Sequence, residues 1–137
     1  MKQLTKNFHR SEFDCKDGTV VPLKYKNNLI KLATNLQVIR DDLGAPITIS
    51  SGYRTESHNT AIGGAKHSQH LTASAGDLHQ SEESPRDLYF RIKCLIRLGL
   101  VDEGGVFLYD WGVHYDIRGV KARGNYSSLY KYNVYLY

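Results

Sequence analysis

The 137-residue sequence has few of the features that define several large protein classes. Its two cysteines, Cys15 and Cys94, lie far apart and outside any CxxC pair, so neither a disulfide framework nor a cysteine zinc site is indicated. Three prolines and twelve glycines are too few for a collagen-like or low-complexity chain. No apolar run approaches the length of a membrane span. We therefore expect a globular protein of one domain with two free thiols, Cys94 being buried in a helix.

The amino-terminal residues also lack an apolar h-region. We expect no secretory signal peptide and a chain that is cytoplasmic when made. The formal charge of +4 favours polyanions such as nucleic acid, anionic lipid or bacterial cell wall, and its sign does not choose among them. Because there is no block of five like charges and no nucleic-acid module, we predict neither a nucleic-acid nor a membrane partner.

Apolar periodicity predicts two helices. Between residues 22 and 43 apolar side chains recur at steps of three and four, which predicts a helix that begins at the proline and ends at Gly44. A second helix is expected after the N-cap Ser84, with Pro85 in its first position. Its apolar stripe ends near Gly99, a residue type that favours helix termination.

Strand patterns complete an α+β fold with a small, mostly antiparallel sheet flanked by helices. Four short segments alternate apolar and polar residues or are rich in β-branched ones, namely 47–50, 75–79, 106–109 and 113–117. The last two segments predict a hairpin. Side chains two apart on a strand share a face, so His114 and Asp116 are expected side by side.

The chain ends in a tyrosine-rich tail, residues 124–137, which we expect to pack on the domain formed by residues 1–123. Its tyrosines recur in a strand-like alternation, namely Tyr126, Tyr130, Tyr132, Tyr135 and Tyr137. A closing strand that packs its rings on the sheet is the expected structure. The alternative is a row of rings that stacks on sugars or bases.

Two segments, 50–77 and 111–116, carry the residues that indicate chemistry. His70 and Asp77 are seven residues apart after a glycine-rich loop, and His114 supplies another imidazole from a distant segment. Two imidazoles and a carboxylate suit tetrahedral Zn²⁺ with its fourth position open to water. Seven residues exceed the helical spacing of HExxH, so His70 and Asp77 should flank a loop or turn. A surface histidine and a capping aspartate are the alternative.

Residues 68–77, SQHLTASAGD, resemble the SxHxxGxAxD signature of the D-alanyl-D-alanine carboxypeptidase family of zinc peptidases. Residues 50–55, SSGYRT, and 113–118, VHYDIR, are similar to the segments that precede and close the site in that family. The matches occur in family order over residues 4–123. Ala73 replaces the usual signature glycine, and a methyl group there requires a backbone conformation ordinary for L-residues.

The resemblance implies a hedgehog/D,D-peptidase-like zinc fold in which His70, Asp77 and His114 bind Zn²⁺. It also implies that Arg54 stabilises the scissile carbonyl oxygen or grips a substrate carboxylate. Ser68 is expected to bind substrate or to cap a turn.

The same resemblance leaves the general base open. Better-known relatives place an acidic residue three positions before the last histidine ligand, where this chain has Trp111. We predict that Asp110, one residue earlier, is the base, with His79 as second choice. His67 is expected to be structural, and Asp116 to support His114 from behind.

Together these observations predict a monomeric zinc metallopeptidase that hydrolyses a peptide bond in bacterial peptidoglycan stem peptides. Carboxypeptidase and endopeptidase activity both remain open. Without an export signal, delivery to the cell wall by phage or prophage lysis or tail machinery is expected. One alternative is a non-catalytic, zinc-containing cell-wall binding module. Another is a basic structural or nucleic-acid-binding protein with incidental histidines.

Overall fold

The computed structural model describes residues 3–132 and 134–136. Its helices are α1 (Lys26–Leu43), α2 (Glu56–Ala61) and α3 (Pro85–Arg97). Its strands are β1 (Thr48–Ser51), β2 (Ala75–His79), β3 (Gly105–Tyr109), β4 (Gly112–Asp116) and β5 (Ala122–Asn125). The strands form one sheet in the order β1-β2-β4-β3-β5, antiparallel except for β3 and β5. The predicted α+β class is confirmed.

In this described part of the chain, no helix has both the length and the apolar character that crossing a bilayer requires.

Helix α1 supplies one side of the core. Its predicted apolar stripe is buried throughout, namely Leu29, Leu32, Ala33, Leu36, Ile39 and Leu43. Gly44 ends the helix in the left-handed conformation, as predicted. The start is different, because Pro22 is extended and precedes a short 3₁₀ turn, Leu23–Tyr25, before the α-helix begins at Lys26. A short 3₁₀ turn is common at the amino-terminal end of an α-helix.

Helix α3 begins as predicted, with Ser84 Oγ accepting a hydrogen bond from Asp87 N at 3.1 Å and Pro85 in the first turn. Ile92 and Leu95 face the sheet and are buried. Cys94 is exposed, so its predicted burial is wrong. Two residues correspond to about 200° of rotation around a helix, so position 94 faces away from the side that buries position 92.

The two faces of the sheet have different environments. Alternate residues point into the core shared with α1 and α3, namely Leu78, Val106, Leu108, Val113 and Tyr115. The residues between them point to the other side, where Asp77, Phe107, Tyr109 and His114 line a cleft. The helices therefore cover one face of the sheet, and the other face is open to the cleft.

The tyrosine-rich tail joins the sheet through β5, which runs across the expected boundary at residue 123, and through a hydrogen bond from Tyr126 N to the Leu108 carbonyl oxygen. The predicted strand alternation is wrong beyond Asn125, whose side-chain oxygen accepts hydrogen bonds from Ser127 N at 3.0 Å and Ser127 Oγ at 2.6 Å. Such an Asx turn ends the regular strand, and beyond it Tyr130 and Val134 are partly buried against the core, as expected for a tail that packs on the domain. Tyr126 and Tyr132 are exposed, and Tyr137 lies outside the described residues.

Candidate metal centre

His70 lies on a 3₁₀ turn, Gln69–Thr72, that leads into β2. Ser68 caps this turn, its Oγ accepting from His70 N at 3.2 Å. Ala73 ends the turn with φ 56° and ψ 34°, the left-handed conformation. The expectation of an ordinary L-residue conformation at Ala73 is therefore wrong. The turn keeps the glycine-like backbone of the signature, at a cost of about 1–2 kcal/mol for an alanine.

Strand register brings Asp77 and His114 together. They are direct partners on the antiparallel strands β2 and β4. Asp77 Oδ1 lies 3.2 Å from His114 Nδ1 and 3.3 Å from His70 Nε2. One ligand atom from each residue lies within 4.8 Å of the other two, and all three residues are buried. Histidine and aspartate thus flank a turn, as their sequence spacing predicts.

Hydrogen bonds identify which nitrogen of each imidazole faces Asp77. His70 Nδ1 lies 2.6 Å from the Gly52 carbonyl oxygen, which only accepts, so Nδ1 carries the hydrogen. His114 Nε2 lies 2.7 Å from Asp116 Oδ2 and donates to it. The remaining nitrogens, His70 Nε2 and His114 Nδ1, both face Asp77 Oδ1. His70 Nε2 is buried and forms no hydrogen bond.

The electrostatic environment of the three residues favours a cation. Burial lowers the pKa of His70, so its imidazole is neutral and its Nε2 lone pair is available. Burial opposes a charge on His114 as well, but hydrogen bonds to Asp116 and Asp77 outweigh it and raise its pKa. Burial would raise the pKa of Asp77, yet the two histidines hold it well below its usual range. Positive charge is therefore stabilised where the three side chains meet.

The donor set and its spacing fit a tetrahedral divalent ion. Two ligand atoms at about 2.0–2.1 Å from such an ion are separated by about 3.4 Å. The distances from Asp77 Oδ1 to the two histidine nitrogens, 3.2 and 3.3 Å, are close to this value. A cation would also give the orphaned His70 Nε2 a partner. His70, Asp77 and His114 therefore form a candidate metal site.

Arg54 supports the site through the second oxygen of Asp77. Its Nε donates to Ser51 Oγ at 3.0 Å and its Nη1 to Asn59 Oδ1 at 3.2 Å. Its Nη2 donates to Asp77 Oδ2 at 3.2 Å. This contact leaves Oδ1 of Asp77 facing the histidines.

Asp116 holds His114 from the opposite side. This fully buried carboxylate accepts from His114 Nε2, from Gly105 N at 2.8 Å and from Arg118 Nε and Nη2 at 2.9 and 2.7 Å. A Cβ at Gly105 would lie 2.3 Å from Asp116 Oδ2, so only glycine allows this approach. His114 and Asp116 share a face of β4, as their spacing predicts. Carboxylates that bind the second ring nitrogen of a histidine orient it toward metals.

Comparison with protein families gives the remaining observation. A family model described as Peptidase M15 matches residues 4–116, most of the chain. The chain belongs to the Peptidase M15 family. Comparison with curated proteins gives no significant match. The M15 match contains all three residues of the candidate metal site and ends at Asp116, before Arg118 and β5.

The candidate metal site of this M15 family member opens into a cleft of about 690 Å³. The loop of residues 62–69 forms one wall, which includes Lys66, His67 and Ser68. The cleft is also lined by Arg54, which lies close to Gly64 of this loop, by Arg118 and by four aromatic residues, namely Phe107, Tyr109, Trp111 and Tyr126. A cleft of this size matches the range in which proteins bind whole small ligands.

The structure does not bring Asp110 into the cleft. Its carboxylate is exposed and accepts hydrogen bonds from Ser128 N at 2.9 Å, Ser128 Oγ at 2.7 Å and Leu129 N at 3.1 Å. These contacts hold the pKa of Asp110 below its usual value. Asp110 thus binds the backbone and side chain of the turn at Ser128 and Leu129. The geometry does not support its predicted role as general base. His79, the second choice, stacks on Trp111 at 4.9 Å and does not line the cleft.

Sequence reasoning missed two features of the cleft. His67 lines it, although its place in the polar loop gave no periodic signal. The aromatic side is built by Phe107 and Tyr109, whose two-residue spacing on β3 already places them on the face of His114. Tyr126 joins them through the pairing of β5 with β3. That parallel pairing has no local sequence signal.

Proposed function

We propose that this chain is a zinc-dependent peptidase that hydrolyses a peptide bond in bacterial peptidoglycan stem peptides. The observation that carries the proposal is the convergence of three potential ligand atoms, one each from His70, Asp77 and His114, in an M15 chain. A Zn²⁺ ion held there would act as a Lewis acid on the scissile carbonyl and lower the pKa of a coordinated water.

Arg54 is proposed to bind the substrate carbonyl or carboxylate oxygen. Three of its five N–H groups serve Ser51, Asn59 and Asp77, and two remain. Since Arg54 also lines the cleft, these two groups are available to substrate. Ser68 accepts from His70 N, and its hydroxyl hydrogen is proposed to bind the peptide backbone.

His67 is proposed as the proton-transfer group. Within the described residues, no carboxylate other than Asp77 lines the cleft. Imidazole is the side chain that most often transfers protons in enzymes, and His67 is exposed in the cleft wall. It would accept a proton from the attacking water and return it to the leaving amine.

The charge of the cleft favours an acidic peptide. Arg54, Lys66 and Arg118 all line it; Arg54 is paired with Asp77 and Arg118 with Asp116, so these five side chains carry one net positive charge. Stem peptides that carry free carboxylates match this charge. We further propose that the chain acts as a monomer on the cell wall and is delivered there by phage or prophage lysis or tail machinery.

Digestion of purified peptidoglycan, with mass analysis of the released fragments, tests the proposal. Zinc-loaded protein should release fragments that differ by hydrolysis of one peptide bond, and a chelator should stop the release. The mass of the fragments distinguishes carboxypeptidase from endopeptidase cleavage. Zinc-loaded protein that releases nothing would overturn the peptidase proposal.

Two substitutions separate the proposed proton-transfer roles. His67→Ala should lower kcat by about 10²–10⁴-fold, the usual contribution of general acid-base catalysis, while zinc stoichiometry stays at that of the parent protein. Asp110→Ala should lower kcat much less. The opposite ranking would restore Asp110 as the base and reject His67.

A non-catalytic binding module is the second candidate, because the described cleft has no carboxylate in the position of a general base. A binding module would hold zinc and sediment with cell walls without releasing fragments. His114→Ala should remove stoichiometric zinc under either proposal, whereas fragment release distinguishes them.

A further inference from the structure

We propose that the segment after the M15 match forms a saccharide-binding wall of the cleft, with Tyr126 as its main contact. The inference rests on the proposed function and specifies its substrate as peptide still attached to amino sugars. The term aromatic wall denotes Tyr109, Trp111 and Tyr126.

The rings of the aromatic wall are stacked in series. Tyr109 lies 4.7 Å from Trp111, with 14° between the ring planes, and 5.3 Å from Tyr126, with 24° between the planes. Tyr126 also contacts Phe107 edge-on at 6.2 Å. Phe107 in turn lies 5.1 Å from the imidazole of His114. The stack therefore continues from the solvent edge to a proposed metal ligand.

Two of these rings are exposed to solvent. Trp111 is 41% exposed and Tyr126 is 65% exposed. Both line the cleft that contains His70 and His114. Contiguous exposed apolar surface in a cleft is typical of a binding site, whereas an isolated exposed ring needs no explanation.

The position of Tyr126 is fixed by the chain around it. Its N–H donates to the Leu108 carbonyl oxygen at 2.7 Å, extending the pairing with β3. A Cβ at Gly124 would lie 2.8 Å from the Tyr126 ring, so glycine leaves the space that this ring occupies. Asp110 holds the next turn through Ser128 and Leu129. The hydrogen bonds of Asp110 thus join the tip of the hairpin to the segment that carries Tyr126.

The chemistry of the two cleft walls favours an anionic saccharide. Aromatic rings pack against the flat C–H face of a sugar, and tyrosine hydroxyls reach its polar edge. The cleft is also lined by Lys66 and His67, and by Arg118, whose guanidinium is paired with Asp116. A ligand with one flat apolar face and nearby carboxylates fits this combination. An amino sugar joined to an acidic peptide has both.

Part of the wall lies beyond the family region, since Tyr109 and Trp111 fall inside the match and Tyr126 falls outside it. The M15 match ends at residue 116, whereas Gly124, Tyr126 and Ser128 come later. The metal site lies inside the match. We therefore expect the wall to affect substrate selection more than metal binding.

The single tryptophan of the protein allows a direct test. Because Trp111 belongs to the aromatic wall, its fluorescence reports on ligands that stack there. Zinc-loaded full-length protein is titrated with the amino-sugar disaccharide of peptidoglycan from which the peptide has been removed. This probe has no stem-peptide bond to cleave. The expected result is a saturable change in Trp111 fluorescence.

Variants identify the contacting ring. Tyr126→Ala should weaken disaccharide binding about three- to tenfold, the range expected for loss of one aromatic stacking partner. Tyr126→Phe keeps the ring and should bind within twofold of the parent protein. Tyr132→Ala is the matched control, because Tyr132 is 87% exposed and does not line the cleft. Zinc stoichiometry and thermal unfolding of each variant check that the fold is intact.

Two results would overturn the inference. One is the absence of disaccharide binding by the parent protein in both fluorescence and calorimetry. The other is equal affinity in the parent and Tyr126→Ala proteins, or equal weakening in Tyr126→Ala and Tyr132→Ala. Failure of the peptidase proposal gives a different result. A protein that binds the disaccharide but releases no peptide would support the saccharide-binding wall and contradict the peptidase activity.

Discussion

At the residue scale, the hydrogen-bond partner of each imidazole selects the nitrogen that faces the candidate metal site. The Gly52 carbonyl oxygen binds Nδ1 of His70, and Asp116 binds Nε2 of His114. The two histidines therefore present different nitrogens to Asp77. A histidine without such a partner rotates more freely and loses more entropy when it binds a metal.

Asp116→Asn tests this orienting contact. The amide keeps the shape of the side chain but replaces its charge, so zinc affinity should fall about 10–100-fold, as for other outer-shell partners of metal ligands. Competition with a chromogenic chelator measures the affinity. Asp87→Asn, on the exposed first turn of α3, is the matched control and should bind zinc like the parent protein. Unchanged affinity in Asp116→Asn would contradict an orienting role.

Substitutions at Ala73 test the left-handed turn before β2. Ala73→Gly relieves the backbone but removes a buried methyl group, so the free energy of unfolding should change by no more than about 1 kcal/mol. Ala73→Val should destabilise by more than about 2 kcal/mol, since a β-branched residue is a severe outlier in this region. Urea denaturation measures both. Equal stability of the two variants would show that the turn adopts another conformation.

At the element scale, one face of the sheet packs in the hydrophobic core and the other carries the residues of the candidate site. Helix α3 packs behind β3 and β4, while His114 and Asp77 point away from it. Strand geometry requires this separation, because neighbouring side chains of a strand point to opposite faces. A substitution where α3 packs on the sheet should therefore lower the free energy of unfolding without changing zinc affinity.

Ile92→Val is the corresponding test. Removal of one buried methylene should lower the free energy of unfolding by about 0.5–1.5 kcal/mol. Zinc affinity should stay within twofold of the parent value, because Ile92 faces the core. Urea denaturation and chelator competition measure the two quantities. A large loss of zinc affinity in this mildly destabilised variant would show that the two faces are coupled.

At the scale of the whole molecule, the candidate metal site joins parts of the chain that are far apart in sequence. His70 and Asp77 precede α3, whereas His114 follows it on β4. An ion bound to all three would connect the loop wall of the cleft to the centre of the sheet. Because the unfolded chain lacks this arrangement, metal binding should stabilise the folded state.

Thermal unfolding with zinc and with a chelator measures this linkage. At free zinc about 100-fold above Kd, the folded protein should gain about 2.7 kcal/mol, seen as a rise in Tm. His70→Ala should abolish the zinc-dependent rise, because it removes one of the three ligands. His58→Ala is a control outside the ligand set and should keep the rise. Identical Tm values for the parent protein with zinc and with chelator would argue against a metal site.

The sequence by itself determined the elements whose signals are local. The stripe of α1, the cap of α3 and the hairpin follow from periodicity and capping, and the signature around His70 and Asp77 follows from family resemblance. Only the tertiary structure decided the partner of Asp110, the place of Tyr126 and the cleft position of His67. Each of these depends on contacts between distant segments. A polar or aromatic side chain has several possible partners. Strand register and competing hydrogen bonds decide which partner it contacts in the folded chain, and local sequence patterns do not encode either.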